Sequence, residues 1–169
     1  VTHVYCLEQA AAAARAGASL IQVYVGRVRT WYAKNPDAAV ANNLGGADDP
    51  GVELARQTAA LIKKEKCKAK VIAASIRDRG DALALAGCDY LLLNDRIIND
   101  LDKTEGVCAN TFKGATCPDV GSMSEEDTFH AALTASPGAE ELELGLTCCT
   151  AAENRLKEFI KQNVLPPNM

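Results

Sequence analysis

Arg27 and Arg77 are the residues whose placement could do chemistry. Arg27 follows the apolar run Leu20–Val25 and Gly26, while Arg77 ends the run Ala69–Ile76, with Ser75 beside it. A guanidinium meets phosphate oxygens in bidentate fashion. A buried strand ending in a glycine and then a cation is how a parallel α/β protein builds an anion site at the carboxyl edge of its sheet. Arg27, Ser75 and Arg77 therefore form a candidate phosphate clamp. The other reactive groups suggest less. The seven cysteines, Cys6, Cys67, Cys88, Cys108, Cys117, Cys148 and Cys149, include no CxxC pair. Only His3 and His130 could join them, so no zinc site is expected. Cys6 and Cys88 read as small core residues, Cys148 and Cys149 as partly buried thiols, and the pattern as that of a reducing compartment. No GxGxxG and no GxxxxGK[ST] occurs, and no cofactor is expected.

The elements that must position these groups alternate. Thr2–Tyr5 reads as a short strand, and alanine-rich Leu7–Ala16 as a helix with Gly17 just past its end. The strand Ser19–Val25 follows, then a helix over Val28–Lys34 and a loop over Asn35–Pro50. Asp48 or Asp49 is placed to cap a helix running from about Gly51 to Lys66, with Pro50 at its first position. After Ala69–Ile76 come a helix at Ala82–Ala86, Gly87, and a strand at Asp89–Leu93. ARAGASLIQV and ALAGCDYLLL repeat one pattern, helix then glycine then strand. Arg96–Leu101 is a short helix and Asp102–Met123 is polar and irregular. Ser124-Glu125-Glu126-Asp127 opens another helix with a cap and an acidic first turn. A terminal helix spans Glu140–Asn163, with a break expected near Gly145, an acidic solvated face at Glu140–Glu143, and an end at Leu165-Pro166-Pro167.

The 169 residues, 48% hydrophobic and 24% charged, suit a globular domain with a sizeable core. A net charge of −4 speaks against nucleic acid or an anionic membrane as the main partner. No apolar run approaches the roughly 20 residues of a membrane span. The chain opens directly in an expected strand, so no leader or transit peptide is read in it. Strict alternation with strands dry on both faces means an α/β fold with a parallel sheet, doubly wound or closed as a (β/α)8 TIM barrel. Four strands are too few to close a barrel. Yet the polar groups gather at the strand tips, as they do in barrels. The economical reading is half a barrel, with four βα units in residues 1–101 and a terminal loop and helices in 102–169.

Several separated motifs resemble those of the transaldolases, class I aldolase-type barrels. The family's T-x-x-F-S-x-x-Q-A appears as Thr2-His3-Val4-Tyr5-Cys6-Leu7-Glu8-Gln9-Ala10. Its I-S-P-F-V-G-R-I-x-D-W-Y appears as Ile21-Gln22-Val23-Tyr24-Val25-Gly26-Arg27-Val28-Arg29-Thr30-Trp31-Tyr32. D-P-G-V is Asp49–Val52, V-M-x-A-S-F-R-N is Val71–Asp78, and L-A-G-C-D is identical at Leu85–Asp89. The resemblance implies that the chain covers the C-terminal half of the barrel, from the fifth strand onward. It implies transfer of a dihydroxyacetone unit between sugar phosphates of the pentose phosphate pathway, through a lysine Schiff base and without metal. The substrates so implied are fructose 6-phosphate, sedoheptulose 7-phosphate, erythrose 4-phosphate and glyceraldehyde 3-phosphate. By position, Arg27, Ser75 and Arg77 bind phosphate, Thr2 helps orient the catalytic water and the acid/base carboxylate, and Tyr24 packs in the active site.

The departures carry equal weight. The family's lysine lies on its fourth strand, and its acid/base carboxylates on the first and third, all upstream of Val1. Lys70 stands at the wrong rim to substitute, and Lys34, Lys63 and Lys64 sit in solvated surfaces; a Schiff-base lysine needs a dry pocket. Gln22 replaces the active-site serine and is bulky enough to crowd or re-hydrogen-bond the sugar. Tyr24 adds a hydroxyl able to reach the catalytic water. The readings left open are a transaldolase completed by the rest of the barrel, in the same chain or a partner protein; a catalytically inactive binding or structural subunit of a larger assembly; and another phosphosugar aldolase. Trp31 is expected to anchor structure, and the cytoplasm or plastid stroma is the expected compartment.

Overall fold

The computed structural model describes residues 1–38, 44–121 and 126–164. Its centre is a parallel sheet in sequential order, β1 (Leu20–Tyr24), β2 (Lys70–Ala74) and β3 (Tyr90–Leu91). The segment expected as a strand at Thr2–Tyr5 joins only through one parallel bridge between Val4 and Val23. The Val4 amide donates to Gln22 O at 3.2 Å, and the Tyr24 amide to Val4 O at 3.3 Å. The turn of His3 into the left-handed region (φ 58°) keeps this edge from lengthening into a ladder.

Register sorts the side chains onto two faces. Ile21, Val23, Val71 and Ala73 point one way and are fully buried. They are covered by α1 (Leu7–Arg15), α2 (Val25–Lys34), α3 (Pro50–Lys64) and α4 (Arg79–Ala84). Leu20, Gln22, Tyr24, Ile72 and Tyr90 point the other way, and this face is incompletely covered: Leu20 is 42% exposed and Tyr90 54%.

Local chemistry explains the helix ends. Asp49 is the cap of α3, its carboxylate accepting from the amides of Gly51 (2.9 Å) and Val52 (3.3 Å), with Pro50 next. Asp78 caps α4 and Asn94 caps α5 (Asp95–Asp102) in the same way. The repeated glycines share a conformation open to few other residues: Gly17 has φ 84° and Gly87 φ 127°.

Three expectations need correction. The first strand of the sheet ends at Tyr24, so Val25, Gly26 and Arg27 form the first turn of α2 rather than a strand tip. The terminal helix α7 (Gly138–Asn163) runs unbroken through Gly145, because that glycine is where the helix meets His3; a Cβ there would lie 2.2 Å from the imidazole Cδ2. Cys148 and Cys149, expected to be partly buried, are exposed on α7, in a stretch from Leu146 to Val164 that is exposed throughout. Helix α6 is described as Glu126–Thr134. The expected cap at Ser124-Glu125 and the expected stop at Leu165-Pro166-Pro167 lie outside the described residues.

Candidate functional site

Gly26, Ser75 and Arg77 meet where β1 and β2 end and α2 begins. A Cβ on Gly26 would stand 2.3 Å from Ser75 O, 2.8 Å from Arg77 Nε and 3.0 Å from Ser75 Oγ, so only glycine permits the approach. Ser75 itself is left-handed (φ 61°), a conformation that costs a non-glycine residue about 1–3 kcal/mol and turns the chain sharply after β2. Helix α2 has no side-chain cap at Tyr24, which leaves its first-turn amides without a side-chain acceptor beside Ser75 and Arg77.

Arg77 is held firmly. Its Nη2 donates to Gly26 O at 2.6 Å and to Thr30 Oγ1, while the Thr30 hydroxyl donates to the same carbonyl at 2.8 Å. Its amide donates to Asp81 Oδ2 at 3.1 Å, and its carbonyl accepts from Arg96 Nη2 at 2.7 Å. Behind it, Arg29 bridges Asp49 and Asp81, both fully buried, and so ties α2 to the cap of α3 and the first turn of α4. Burial alone would lower the Arg29 pKa, but bonds to Asp81 and Asp49 outweigh it and raise the pKa above the ordinary arginine value.

Thr2, Gln22 and Tyr24 form a second group on the open face. The Thr2 hydroxyl donates to Gln22 Oε1 at 3.0 Å and lies 3.4 Å from Tyr24 Oη. His3 and Tyr5 crowd the Tyr24 ring, with centroids 5.1 and 5.7 Å from it. Tyr5 is buried and its Oη has no hydrogen-bond partner among the described residues. Burial, opposed by Arg27 and reinforced by Glu141, pushes its phenol up to about 12. Arg27 belongs to this group rather than to Arg77. Its guanidinium carbon lies 5.5 Å from the Tyr24 centroid, and Nη1 is 3.7 Å from Glu141 Oε2.

The six sequence-derived residues thus fall into two clusters joined through the Gly26-Arg27 turn. Each guanidinium has a protein partner: among the described residues Arg77 donates from its side chain through Nη2, and Arg27 Nη1 faces Glu141. Sequence reasoning missed Arg29, Asp81, Tyr5 and Glu141. Asp81 falls just outside the helix expected at Ala82–Ala86; α4 begins earlier, at Arg79, and places it in the first turn. Glu141 was read as part of a solvated face, but α7 buries it, while the neighbouring Glu140 accepts from Trp31 Nε1 at 2.7 Å and anchors that indole as expected. Lys70 pairs with Asp89 at 2.8 Å, which raises its pKa, the opposite of what an amine nucleophile needs. Among the described residues no cluster of three or more His, Cys, Asp or Glu could hold a metal, and no helix is long and apolar enough to cross a membrane.

The model of the transaldolase/fructose-6-phosphate aldolase family matches residues 1–160. The chain belongs to this family. A protein of Acidobacterium capsulatum named transaldolase is 37% identical over 105 residues, 62% of this chain and 30% of that protein. One of Methylobacillus flagellatus, also named transaldolase, is 29% identical over 166 residues, 97% of this chain and 51% of that protein. The chain therefore spans about half or less of the length of these relatives. Membership places the chain in an aldolase- or transferase-type enzyme family and implies the TIM-barrel architecture, to which a parallel sheet in sequential order conforms.

Proposed function

We propose that the protein transfers a dihydroxyacetone unit between sugar phosphates by way of a lysine Schiff base, within the pentose phosphate pathway. The observation that carries this reading is the convergence of Gly26, Ser75 and Arg77 on the uncapped start of α2. A phosphate there gains the serine hydroxyl, first-turn amides and the unspent guanidinium nitrogens of Arg77, with Arg27 approaching from the next residue along α2. Thr2 and Tyr24 then face the reacting carbons, Thr2 positioned by Gln22. Gln22 spends its amide oxygen on Thr2 and keeps its amide N–H groups for a sugar hydroxyl.

In this reading residues 1–169 supply strands five to eight and the terminal helices. The lysine and the two acid/base carboxylates come from the rest of the barrel, in the same chain or a partner. The incompletely covered sheet face supports this, because Leu20 and Tyr90 on it, with Leu92 (60% exposed) just beyond β3, would become interior in a closed barrel.

Borohydride reduction in the presence of fructose 6-phosphate, followed by intact mass, tests the proposal. A mass increase of one reduced dihydroxyacetone unit, the phosphate having left with glyceraldehyde 3-phosphate, is the expected result, lost in Arg77→Met at limiting substrate. No adduct on the full protein would sink it and leave the reading of an inactive binding or structural subunit.

A further inference from the structure

We infer that Glu141 determines ligand affinity at this site: it is a carboxylate that α7 carries onto Arg27, where it competes with the phosphate of a phosphate monoester. This rests on the reading of Arg27 as a phosphate ligand.

Glu141 is an unusual residue to find buried. Its side chain is 8% exposed, and its cationic partner, Arg27 Nη1, is 3.7 Å away, too far for a hydrogen bond. A buried carboxylate normally collects donors; here its charge reaches the phenol of Tyr5, whose Oη has no partner among the described residues. Arg27, Glu141 and Tyr5 therefore lie near one another, with the Tyr5 hydroxyl unpartnered among the described residues and the Arg27–Glu141 pair too long for a hydrogen bond. The helix is nevertheless seated firmly. Glu140 accepts from Trp31, Gly145 lies against the His3 ring, and a Cβ on Gly138 would come within 3.3 Å of Cys6 Sγ. The carboxylate is thus delivered by packing on both sides of it rather than by its own bonds.

A phosphate dianion arriving at Arg27 meets that negative charge within a few ångströms. It must displace Glu141, and the freed Tyr5 hydroxyl and guanidinium then become its donors. Because Glu140 is the adjacent residue, displacing Glu141 disturbs the Glu140–Trp31 bond. Phosphate binding and the seating of the first turn of α7 are therefore coupled.

Titration of inorganic phosphate into the full protein, by calorimetry, tests this. Glu141→Gln should tighten binding by about five- to fiftyfold, the range for removing a like charge about 5 Å away at the edge of a protein. Glu143→Gln, an exposed charge one residue beyond Leu142, should change it by less than about twofold. In the unsubstituted protein the same titration should shift the emission of Trp31, isolated by difference against Trp31→Phe; this arm needs no change at Glu141. Unchanged or weaker binding in Glu141→Gln, or phosphate binding with a silent Trp31, overturns the inference while Arg27→Met still weakens binding. If Arg27→Met leaves phosphate affinity unchanged, the phosphate reading of Arg27 fails and the inference fails with it.

Discussion

Removing the guanidinium of Arg29 should cost this protein more stability than any other single change near the site. The side chain is 12% exposed and bridges Asp49 and Asp81, which are 0% and 1% exposed. Arg29→Met keeps the apolar stem and leaves two buried carboxylates facing each other with no cation between them. Breaking a buried ion pair from one side costs about 3–5 kcal/mol, because the surviving charge has lost both its partner and its water. With a urea m-value of about 2 kcal/mol/M, the unfolding midpoint should fall by about 2 M. Arg29→Lys should lose roughly half as much, since one ammonium cannot fork to two carboxylates. Adding Asp49→Asn and Asp81→Asn to Arg29→Met should recover most of the loss, because asparagine still caps α3 and bonds the Arg77 amide. Equilibrium urea unfolding of the four proteins, followed by circular dichroism, is the assay. A loss below about 1 kcal/mol in Arg29→Met, or a lysine variant as stable as the parent, would refute the reasoning.

Two further outcomes follow from the same geometry. Ser75→Gly relieves a left-handed serine, so thermal stability should hold or rise by about 1 kcal/mol, while loss of a hydroxyl bond to a charged ligand weakens phosphate binding by about tenfold or more; a clear drop in melting temperature would contradict this. Burial pushes the Cys6 thiol from 9.0 up to about 11. The folded state then holds this proton more tightly than the unfolded chain. The contribution is present in full below pH 9 and is lost as pH rises from 9 to about 11, at up to about 1.4 kcal/mol per pH unit. The gap between the urea midpoints at pH 8.5 and 10.5 should be smaller in Cys6→Ala than in the parent, and an equal gap would count against it.

Much of this protein is local, and what is local was legible in the sequence. Apolar runs marked the three strands of the sheet, although a fourth, at Thr2–Tyr5, proved to be a single bridge; Asp49-Pro50 marked the start of α3, and the motifs around Arg27, Ser75 and Arg77 marked the family. Each of these depends on residues a few positions apart: period-two burial, a cap reaching its own helix, a glycine turning left-handed. What only the tertiary structure decided are contacts between residues far apart in the chain. Nothing local distinguishes Arg29 from a surface arginine; it becomes a buried bridge because α3 and α4 bring Asp49 and Asp81 to it. Glu141 resembles its acidic neighbours Glu140 and Glu143, and a helix of period 3.6 turns one of the three inward once Gly138 and Gly145 let α7 settle against Cys6 and His3. The orientation of Arg27 toward Tyr24 and Glu141 rather than toward Arg77 was settled at the same step, since a long flexible side chain goes where packing and charge leave it a partner.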